Sequence, residues 1–303
     1  MKISYSSIMA KMIDVAAVPA VLLMAPLAAG IARLRNRAPL SRGILVPGAL
    51  HAERALIGLN LNQAGQFKLL KEFKYRDELL AIPPEKASPA TFGYRNESFP
   101  VGDAEYLYNM IRHFKPRRIV EVGSGNSTLM ARLAIAKNES EDPQYTCEHI
   151  CIEPYEQPWL EEIGVTVIRE RVELCSPEVV SALAADDILF IDSSHVIRPQ
   201  GDVVHIYLGL LSRLQQGVVV HAHDIFTPRD YLANWVLNER RMWNEQYLLE
   251  AFLSFNPAFE IIGAVNWLAR NHMEKLNDAC PLLVQHGGSP GSFWFRRILP
   301  PLH

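Results

Sequence analysis

The sequence has little of what marks several large classes of protein. Its 303 residues include four cysteines, which are too few and too irregularly spaced for a disulfide framework. None is in a C-x-x-C pair, which excludes a zinc ribbon and favours free thiols in a reducing compartment. With 30 basic against 33 acidic residues the net charge is −3, and no basic stripe is present, so a nucleic-acid partner is not expected. Internal repeats and low-complexity tracts are also missing. Hydrophobic residues at 49% and charged residues at 21% are typical of a globular protein with a sizeable core.

Long hydrophobic runs are scarce, with one exception near the N-terminus. Residues 15–32 carry no charge, and eighteen such residues reach the length of a membrane-spanning candidate. Pro19 and Pro26 interrupt the run, which leaves three interpretations open: a cleaved signal peptide, a spanning anchor, or a kinked helix lying in one leaflet. Basic residues follow the run, and by the positive-inside rule they favour attachment through residues 13–37 with the remainder of the chain on the cytoplasmic face of the membrane; they are Arg33, Arg35, Arg37 and Arg42.

By pattern the chain divides into three regions. The hydrophobic segment and its basic flank make up residues 1–42. Residues 43–95 are predicted to form an accessory helical region, in which a stretch with helical spacing over 62–80 ends before Pro83 and Pro84. Residues 96–303 are predicted to form the main domain, which begins with a helix capped by Asp103.

The main domain alternates short apolar runs with helical stretches. Five runs cover 118–122, 149–153, 165–168, 188–192 and 217–221, and two more, 259–267 and 291–298, lie close in sequence as in a terminal hairpin. Strands that alternate with helices form an open parallel sheet covered on both faces. We therefore expect an α/β fold with a doubly wound, mostly parallel sheet of seven strands.

Polar residues end several of these apolar runs. In open α/β sheets, ligands bind beyond the carboxyl ends of the strands, close to the point where the strand order reverses. The polar groups at 121–126, Glu153, 192–195 and 221–224 are therefore expected to converge at one edge of the sheet.

The first polar group contains a glycine turn between a strand and a helix. Gly123 and Gly125 supply two glycines of a dinucleotide fingerprint, but the third is missing and Asn126 follows the second directly. Glu121 stands two residues before the turn, where a carboxylate opposes a pyrophosphate and suits a ligand that carries an ammonium group.

These residues resemble the first motif of the class I, Rossmann-like methyltransferases that depend on S-adenosylmethionine, an acidic residue followed by G-x-G. The resemblance covers roughly residues 95–300 and implies S-adenosylmethionine as cofactor and an antiparallel seventh strand. It also implies that Glu153 accepts hydrogen bonds from both ribose hydroxyls. Ser127 and Thr128 are expected to offer hydroxyls and backbone N–H groups to the methionine carboxylate. Asn126 departs from the third glycine of many members. The predicted cofactor site consists of Glu121, Gly123, Ser124, Gly125, Asn126, Ser127, Thr128, Glu153 and Asp192.

A second group is similar to the metal site of O-methyltransferases that act on catechols and on macrolide sugars. Those enzymes hold Mg²⁺ with an Asp after the fourth strand and an acidic-acidic or acidic-amide pair after the fifth; the matching positions are Asp192, His223 and Asp224. The imidazole of His223 shifts the expected ion from Mg²⁺ toward Mn²⁺, Zn²⁺ or Fe²⁺. Two alternatives stay open: Asp192 contacts only the cofactor, and His221 is simply a hydrogen-bonded histidine at a strand end.

The expected reaction is transfer of a methyl group to oxygen, which requires alignment of the acceptor and removal of a proton. His195, or His223 if no metal binds, is the predicted catalytic base. Aromatic and hydrogen-bonding residues over 225–231 and 243–247 suit a sugar or another polyol acceptor, although a helix packed into the core explains them as well. Membrane attachment favours a glycolipid or surface-polysaccharide precursor. The competing hypotheses are a non-catalytic binding or scaffold protein at the membrane and a nucleotide-dependent oxidoreductase, which Glu121 and the missing glycine disfavour.

Overall fold

The computed structural model describes residues 50–155 and 157–301. Its helices are α1 (Gln63–Glu72), α2 (Arg76–Ala81), α3 (Asp103–Phe114), α4 (Asn126–Glu141), α5 (Glu178–Ser181), α6 (Asp202–His205), α7 (Ala233–Leu237), α8 (Glu245–Leu253), α9 (Val265–Asn271) and α10 (Pro281–His286). Its strands are β1 (Arg118–Val122), β2 (Glu148–Ile152), β3 (Thr166–Ile168), β4 (Ile188–Ile191), β5 (Val219–Ala222), β6 (Phe259–Ala264) and β7 (Phe293–Arg297). Short 3₁₀ turns follow β2 and α9, at Leu160–Glu162 and Met273–Leu276, and a π turn and a 3₁₀ turn extend α6 through Ile206–Leu210 and Leu211–Arg213.

The described chain belongs to two compact units. The larger unit comprises Leu50–Tyr231 and the chain from Trp243 onward, and it holds the whole sheet. The described part of the smaller unit is Leu232–Met242, which contains α7. The predicted membrane attachment over residues 13–37 lies outside the described residues. Among the residues that are described, no helix combines the length and the apolar character that crossing a bilayer requires.

The seven strands form one mixed sheet in the order β3-β2-β1-β4-β5-β7-β6. Strands β1 to β5 run parallel to one another, and β7 lies antiparallel between β5 and β6. The predicted α/β fold, with its doubly wound, mostly parallel sheet, is therefore confirmed. The terminal hairpin is wrong in detail, because β6 ends at Ala264 and α9 begins at Val265, so that two helices separate β6 from β7.

Both faces of the sheet are buried, because neighbouring residues of a strand pack into different cores. Ile119 of β1 and Phe190 of β4 pack with Tyr106 of α3 on one face. Their neighbours in sequence, Val120 and Ile191, pack into the core on the other face. This two-sided burial explains why the strands appear in the sequence as continuous apolar runs and not as alternating ones.

The described part of the predicted accessory region lies within the larger unit and packs against the edge strand β6. Asn62 caps α1 by accepting the amide of Gly65 (3.2 Å), and its side chain donates to the Ile261 carbonyl (2.9 Å). Gln66 is fully buried and links the Leu61 carbonyl (2.6 Å) to the Ala264 amide (2.7 Å). Because edge strands expose unpaired backbone groups, a covering helix also protects this edge of the sheet.

Candidate active site

The carboxyl ends of four adjacent strands lie side by side, as the topology predicts. The hydrogen-bond ladder extends one residue beyond the strands: the amide of Gly123 donates to Ile152, that of Asp192 to Val122 and that of His223 to Ile191, at 2.9 to 3.0 Å. Parallel strands held in register to their last residues bring their following side chains to one edge. The glycine turn, Glu153, Asp192 and His223 therefore line the same edge of the sheet.

Gly123 is the position where the turn requires glycine. Its φ of +81° belongs to a region that other residues rarely adopt, and a Cβ here would lie 2.2 Å from the carbonyl oxygen of Asp192. Gly125 differs, since a Cβ there would meet no atom within 4 Å. The turn therefore packs tightly against β4 at its first glycine and faces open space at its second.

Glu153 is buried beside this turn and is held by two backbone amides. Its two carboxylate oxygens accept from Ser124 (3.0 Å) and from Tyr155 (2.8 Å). Burial raises the pKa of Glu153, and these two amides and the Arg169 charge offset part of the effect. A carboxylate has about four acceptor positions, so Glu153 keeps capacity for the two hydroxyls of a ribose.

Glu121 does not face the open space, and its predicted contact with an ammonium group is not what the structure shows. Its side chain is buried, and its oxygens accept the hydroxyls of Ser127 (2.5 Å) and Thr128 (2.7 Å). His149 (3.1 Å) and Cys151 (3.7 Å) lie on its other side, and the three side chains form a fully buried set of potential metal ligands. Since α4 begins directly over β1, the carboxylate ties the first turn of that helix to the strand.

The buried position of Glu121 also changes the role of the Ser127 and Thr128 hydroxyls. Both side chains are buried, and both hydroxyls are already donated to the Glu121 carboxylate. The Thr128 hydroxyl also accepts the amide of Gly125 at 3.0 Å, which closes the start of the helix. These hydroxyls are therefore occupied in holding the turn. The contact of the methionine carboxylate with the backbone N–H groups of the two residues stays a prediction.

Two polar atoms at the turn point to a ligand. Within the described residues, the Ser124 hydroxyl and the Asn126 side-chain oxygen are buried without a hydrogen-bond partner. The amide nitrogen of Asn126 is fixed by Asn96 (3.1 Å) and Ser98 (2.7 Å), so its oxygen is oriented. Buried polar atoms are normally satisfied, and exceptions beside open space indicate a missing partner. The open space at Gly125 and the held carboxylate of Glu153 fit a nucleoside at this position.

Next to the turn, four predicted site residues come together: the carboxylates of Asp192 and Asp224 and the imidazole rings of His195 and His223. The Nε2 atom of His195 lies 3.2 Å from Asp192 Oδ1 and 3.5 Å from Asp224 Oδ2. The Nδ1 atom of His223 lies 3.8 Å from Asp192 Oδ1 and 3.5 Å from Asp224 Oδ1. The two carboxylates thus stand between the two rings, and they belong to segments that follow β4 and β5.

His223 is the strongest candidate for a ligand-binding group in this cluster. It is 4% exposed, and neither of its ring nitrogens has a hydrogen-bond partner among the described residues. One ring nitrogen of His223 and one carboxylate oxygen from each of Asp192 and Asp224 all lie within 4.8 Å of one another. This arrangement suits a divalent cation, and the mixed imidazole and carboxylate donors favour a transition ion over Mg²⁺.

The backbone at this cluster is strained at two positions. His195 has a φ of +60° and Asp224 a φ of +56°, both in the left-handed region. Gly291 makes room for Asp224, since a Cβ on Gly291 would lie 2.8 Å from its Cα. Such conformations cost of order 1–3 kcal/mol each and persist where the surroundings hold them, frequently at functional sites.

The charges of the cluster shift the pKa values of its members. Burial alone would raise the pKa of Asp192, but the His223 and His195 rings outweigh it and lower the pKa to about 2. Burial alone would lower the pKa of His195, but Asp192, Glu245 and Asp224 raise it to about 10. The pKa of His223 is also raised despite its burial, by Asp224 and Asp192.

These shifts qualify the predicted role of His195 as a catalytic base. With a pKa of about 10, the ring carries its proton at neutral pH and acts as a donor to Asp192. A base role therefore requires that the negative charge of Asp192 and Asp224 first be compensated. The carboxylates around the two rings outnumber them, so the cluster stays negative even when both rings are protonated.

His221 lies behind the cluster as an ordinary buried histidine, one of the two alternatives that the sequence left open. Its ring stacks on Phe190 with centroids 4.0 Å apart, and its Nε2 atom lies 3.1 Å from the Ser292 hydroxyl. Burial lowers its pKa well below the ordinary value, and the neighbouring His223 lowers it further. His221 is therefore a neutral packing residue.

Two acidic residues that the sequence did not assign to the site stand behind its histidines. Asp103 is the first residue of α3, which Gly102 precedes as N-cap, so the predicted cap at Asp103 is wrong by one residue. Its carboxylate accepts the amides of Gly291 (2.9 Å) and Ser292 (2.7 Å) and lies 3.8 Å from the His223 ring. Glu245, the first residue of α8, contacts the His195 ring at 2.8 Å. Neither follows an apolar run: the sequence marked Asp103 only as a helix cap, and Glu245 only as part of the stretch 243–247 that suits an acceptor or a packed helix.

Comparison with protein families gives a match over the part of the chain that carries the site. Residues 120–225 match the family model described as a methyltransferase domain, and this segment runs from β1 past β5 to Ile225. The match confirms the resemblance to class I methyltransferases. The glycine turn, Glu153, Asp192, His195, His223 and Asp224 all lie within it.

Two individual proteins are similar to part of this chain. An uncharacterised protein of Archaeoglobus fulgidus is 31% identical over 113 residues, which is 37% of this chain and 49% of that protein. The chain thus spans about half the length of the curated relative it matches. A crystal structure of a candidate methyltransferase from Thermobifida fusca aligns with 65% of this chain and 82% of its own, at 12% identity and a TM-score of 0.38.

Proposed function

We propose that this chain transfers a methyl group from S-adenosylmethionine to a hydroxyl oxygen of a sugar or another small hydroxylated acceptor. One observation carries the proposal: an open glycine turn with a held carboxylate adjoins a cluster of imidazoles and carboxylates at the same sheet edge. The site thus has two halves, a cofactor half at the glycine turn and an acceptor half at the cluster. Gly123 of the first half and Asp192 of the second lie in direct contact. A cofactor bound on one half would therefore meet an acceptor bound on the other.

The cofactor half would hold the nucleoside through a few fixed groups. Glu153 would accept the ribose hydroxyls, because its orientation is set by the amides of Ser124 and Tyr155. The Ser124 hydroxyl and the Asn126 oxygen have hydrogen-bonding capacity to spare. The sulfonium of S-adenosylmethionine supplies an electrophilic methyl group, so the protein has mainly to align the acceptor.

The acceptor half would hold and deprotonate a hydroxyl. Asp192, His223 and Asp224 are the residues that would hold a divalent cation, whose charge lowers the pKa of a bound hydroxyl. His195 would carry protons at Nε2, which lies between Asp192 and Asp224. We propose a lipid-linked sugar as acceptor because the sequence predicts membrane attachment over residues 13–37; the reaction would then take place at the cytoplasmic face.

The proposal predicts methyl transfer that depends on Glu153. We expect purified protein to move label from methyl-tritiated S-adenosylmethionine into a lipid and sugar-nucleotide extract, with one S-adenosylhomocysteine formed per methyl group. A Glu153→Gln variant should lose at least tenfold in affinity for S-adenosylhomocysteine, because an amide cannot accept from two hydroxyls as a carboxylate does. Glu161→Gln, an exposed carboxylate bonded to Arg169, is the matched control. Equal affinity in the Glu153 variant would remove the ribose assignment.

Cofactor affinity is also expected to depend on pH. The raised pKa of Glu153 means that this carboxyl takes up a proton at a higher pH than an ordinary glutamate. Since the ionised form accepts from the ribose, affinity should be full above that pKa and fall as the pH drops through it. Calorimetric titration with S-adenosylhomocysteine between pH 8 and pH 4 measures the effect. Glu153→Gln should bind weakly at both ends of the range, and a wild-type affinity unchanged at pH 4, below the ordinary pKa of a glutamate, would contradict the assignment.

A further inference from the structure

Glu245 is a buried carboxylate that contacts His195 in the acceptor half of the site. Its side chain accepts from Nδ1 of His195 (2.8 Å), from the hydroxyl of Tyr207 (3.0 Å) and from that of Ser193 (3.1 Å). The residue is 0% exposed. Among the ion pairs formed by the described residues, its partner is His195. A buried carboxylate without a partner destabilises the fold, and the His195 ring offsets that cost at Glu245.

The same segment also fixes the backbone of His195. The carbonyl oxygen of His195 accepts the amides of Asn244 (2.9 Å) and Glu245 (3.2 Å) at the start of α8. His195 is thereby held in its left-handed conformation, with a φ of +60°. Backbone and side chain are thus bound by one short stretch of chain, which leaves the ring little freedom.

The consequence is a fixed direction for the other ring nitrogen. With Nδ1 bound to Glu245, Nε2 points between Asp192 and Asp224, 3.2 and 3.5 Å from their oxygens. Trp243 covers the ring, with centroids 4.3 Å apart. A histidine that donates one N–H to a carboxylate has its tautomer and orientation set by that bond.

We propose that Glu245 is a positioning residue for methyl transfer, which holds His195 so that its Nε2 atom meets the acceptor hydroxyl beside Asp192 and Asp224. The inference rests on the proposed function and adds to it the residue that orients the proton-carrying group. Glu245 does not touch the acceptor or the cofactor in this account. Its loss should therefore slow the transfer and leave the binding of S-adenosylmethionine intact.

Substitutions of Glu245 separate positioning from a general structural role. In Glu245→Ala the ring loses its partner, and we expect kcat to fall about 100-fold, within the range for groups that transfer protons. In Glu245→Gln an amide oxygen still accepts from Nδ1, so kcat should stay within about tenfold of wild type. The KM for S-adenosylmethionine and the affinity for S-adenosylhomocysteine should change less than twofold in both. Glu250→Ala, on the same helix and bonded to Arg54 and Thr227, is the matched control and should keep the wild-type kcat.

A measurement that needs no acceptor distinguishes a failure of this proposal from a failure of the proposed function. Nitrogen-15 NMR of histidine-labelled protein should show a slowly exchanging proton on His195 Nδ1 in the wild type and in Glu245→Gln, but not in Glu245→Ala. A protein that transfers no methyl group yet shows this pattern would overturn the proposed function and leave the hold on His195 standing. If Glu245→Ala does not fold, Glu245→Asp replaces it, because the shorter side chain withdraws from the ring.

Two outcomes would overturn the role of Glu245. In one, the variant that loses the ring contact transfers methyl groups as fast as Glu250→Ala. In the other, kcat, cofactor affinity and thermal stability fall together, which is the result of a merely structural role.

Discussion

A Gly123→Ala variant is expected to lose cofactor binding and several kcal/mol of stability. The left-handed φ of +81° costs a residue with a Cβ about 1–2 kcal/mol, and the added methyl group would lie 2.2 Å from the Asp192 carbonyl oxygen. Because that atom is backbone of the neighbouring strand end, relief requires β1 and β4 to separate. Urea unfolding and calorimetry with S-adenosylhomocysteine measure the two losses.

Gly125→Ala is the matched control for this prediction. Its φ of 178° is extended backbone that any residue adopts, and its Cβ would meet no protein atom within 4 Å. We expect wild-type stability and at least a tenfold loss of cofactor affinity, since the methyl group enters the space assigned to the nucleoside. A stable Gly123→Ala variant with unchanged affinity would show that the turn does not have the conformation described.

The second large effect concerns the cluster of Asp192, His223 and Asp224. We expect the protein to bind one Mn²⁺ per chain, and an Asp224→Asn variant to lose more than about 100-fold in affinity. Removing an outer partner of a metal ligand costs 10–100-fold, and a direct ligand costs more. Electron paramagnetic resonance of Mn²⁺ measures free and bound ion, and Mg²⁺ should compete weakly because one donor is an imidazole.

Asp230→Asn serves as the control for the metal prediction, since Asp230 bonds Arg54 and Tyr247 outside the cluster. At a Mn²⁺ concentration 100-fold above its Kd, the ion should stabilise the wild type by about 2.7 kcal/mol against unfolding. No saturable binding, together with full activity in excess EDTA, would contradict the site. His195 would then have to act without a cation.

The fold was predictable because parallel strands buried on both faces leave continuous apolar runs in the sequence. The same topology places whatever follows those runs at one edge, so Glu153, Asp192, His223 and Asp224 were found without side-chain geometry. The position of a residue after its apolar run was enough to predict this placement, because the strands are in register to their ends.

What the sequence did not reveal depends on packing between distant segments. Glu121 was predicted to face a ligand, but α4 lies over β1 and its first hydroxyls reach the carboxylate. Asp103 and Glu245 lie far in sequence from His223 and His195, and tertiary contacts alone bring them together. Burial and side-chain direction, which decide such roles, are set by the whole fold.

The central claim is that the edge beside Gly123 binds an S-adenosyl nucleoside, and calorimetry tests it most directly. The account predicts saturable binding of one S-adenosylhomocysteine per chain, weakened at least tenfold by Glu153→Gln, with no comparable binding of NAD⁺. Absence of S-adenosylhomocysteine binding by the folded wild-type protein, or a preference for NAD⁺ that Glu153→Gln does not alter, would contradict it.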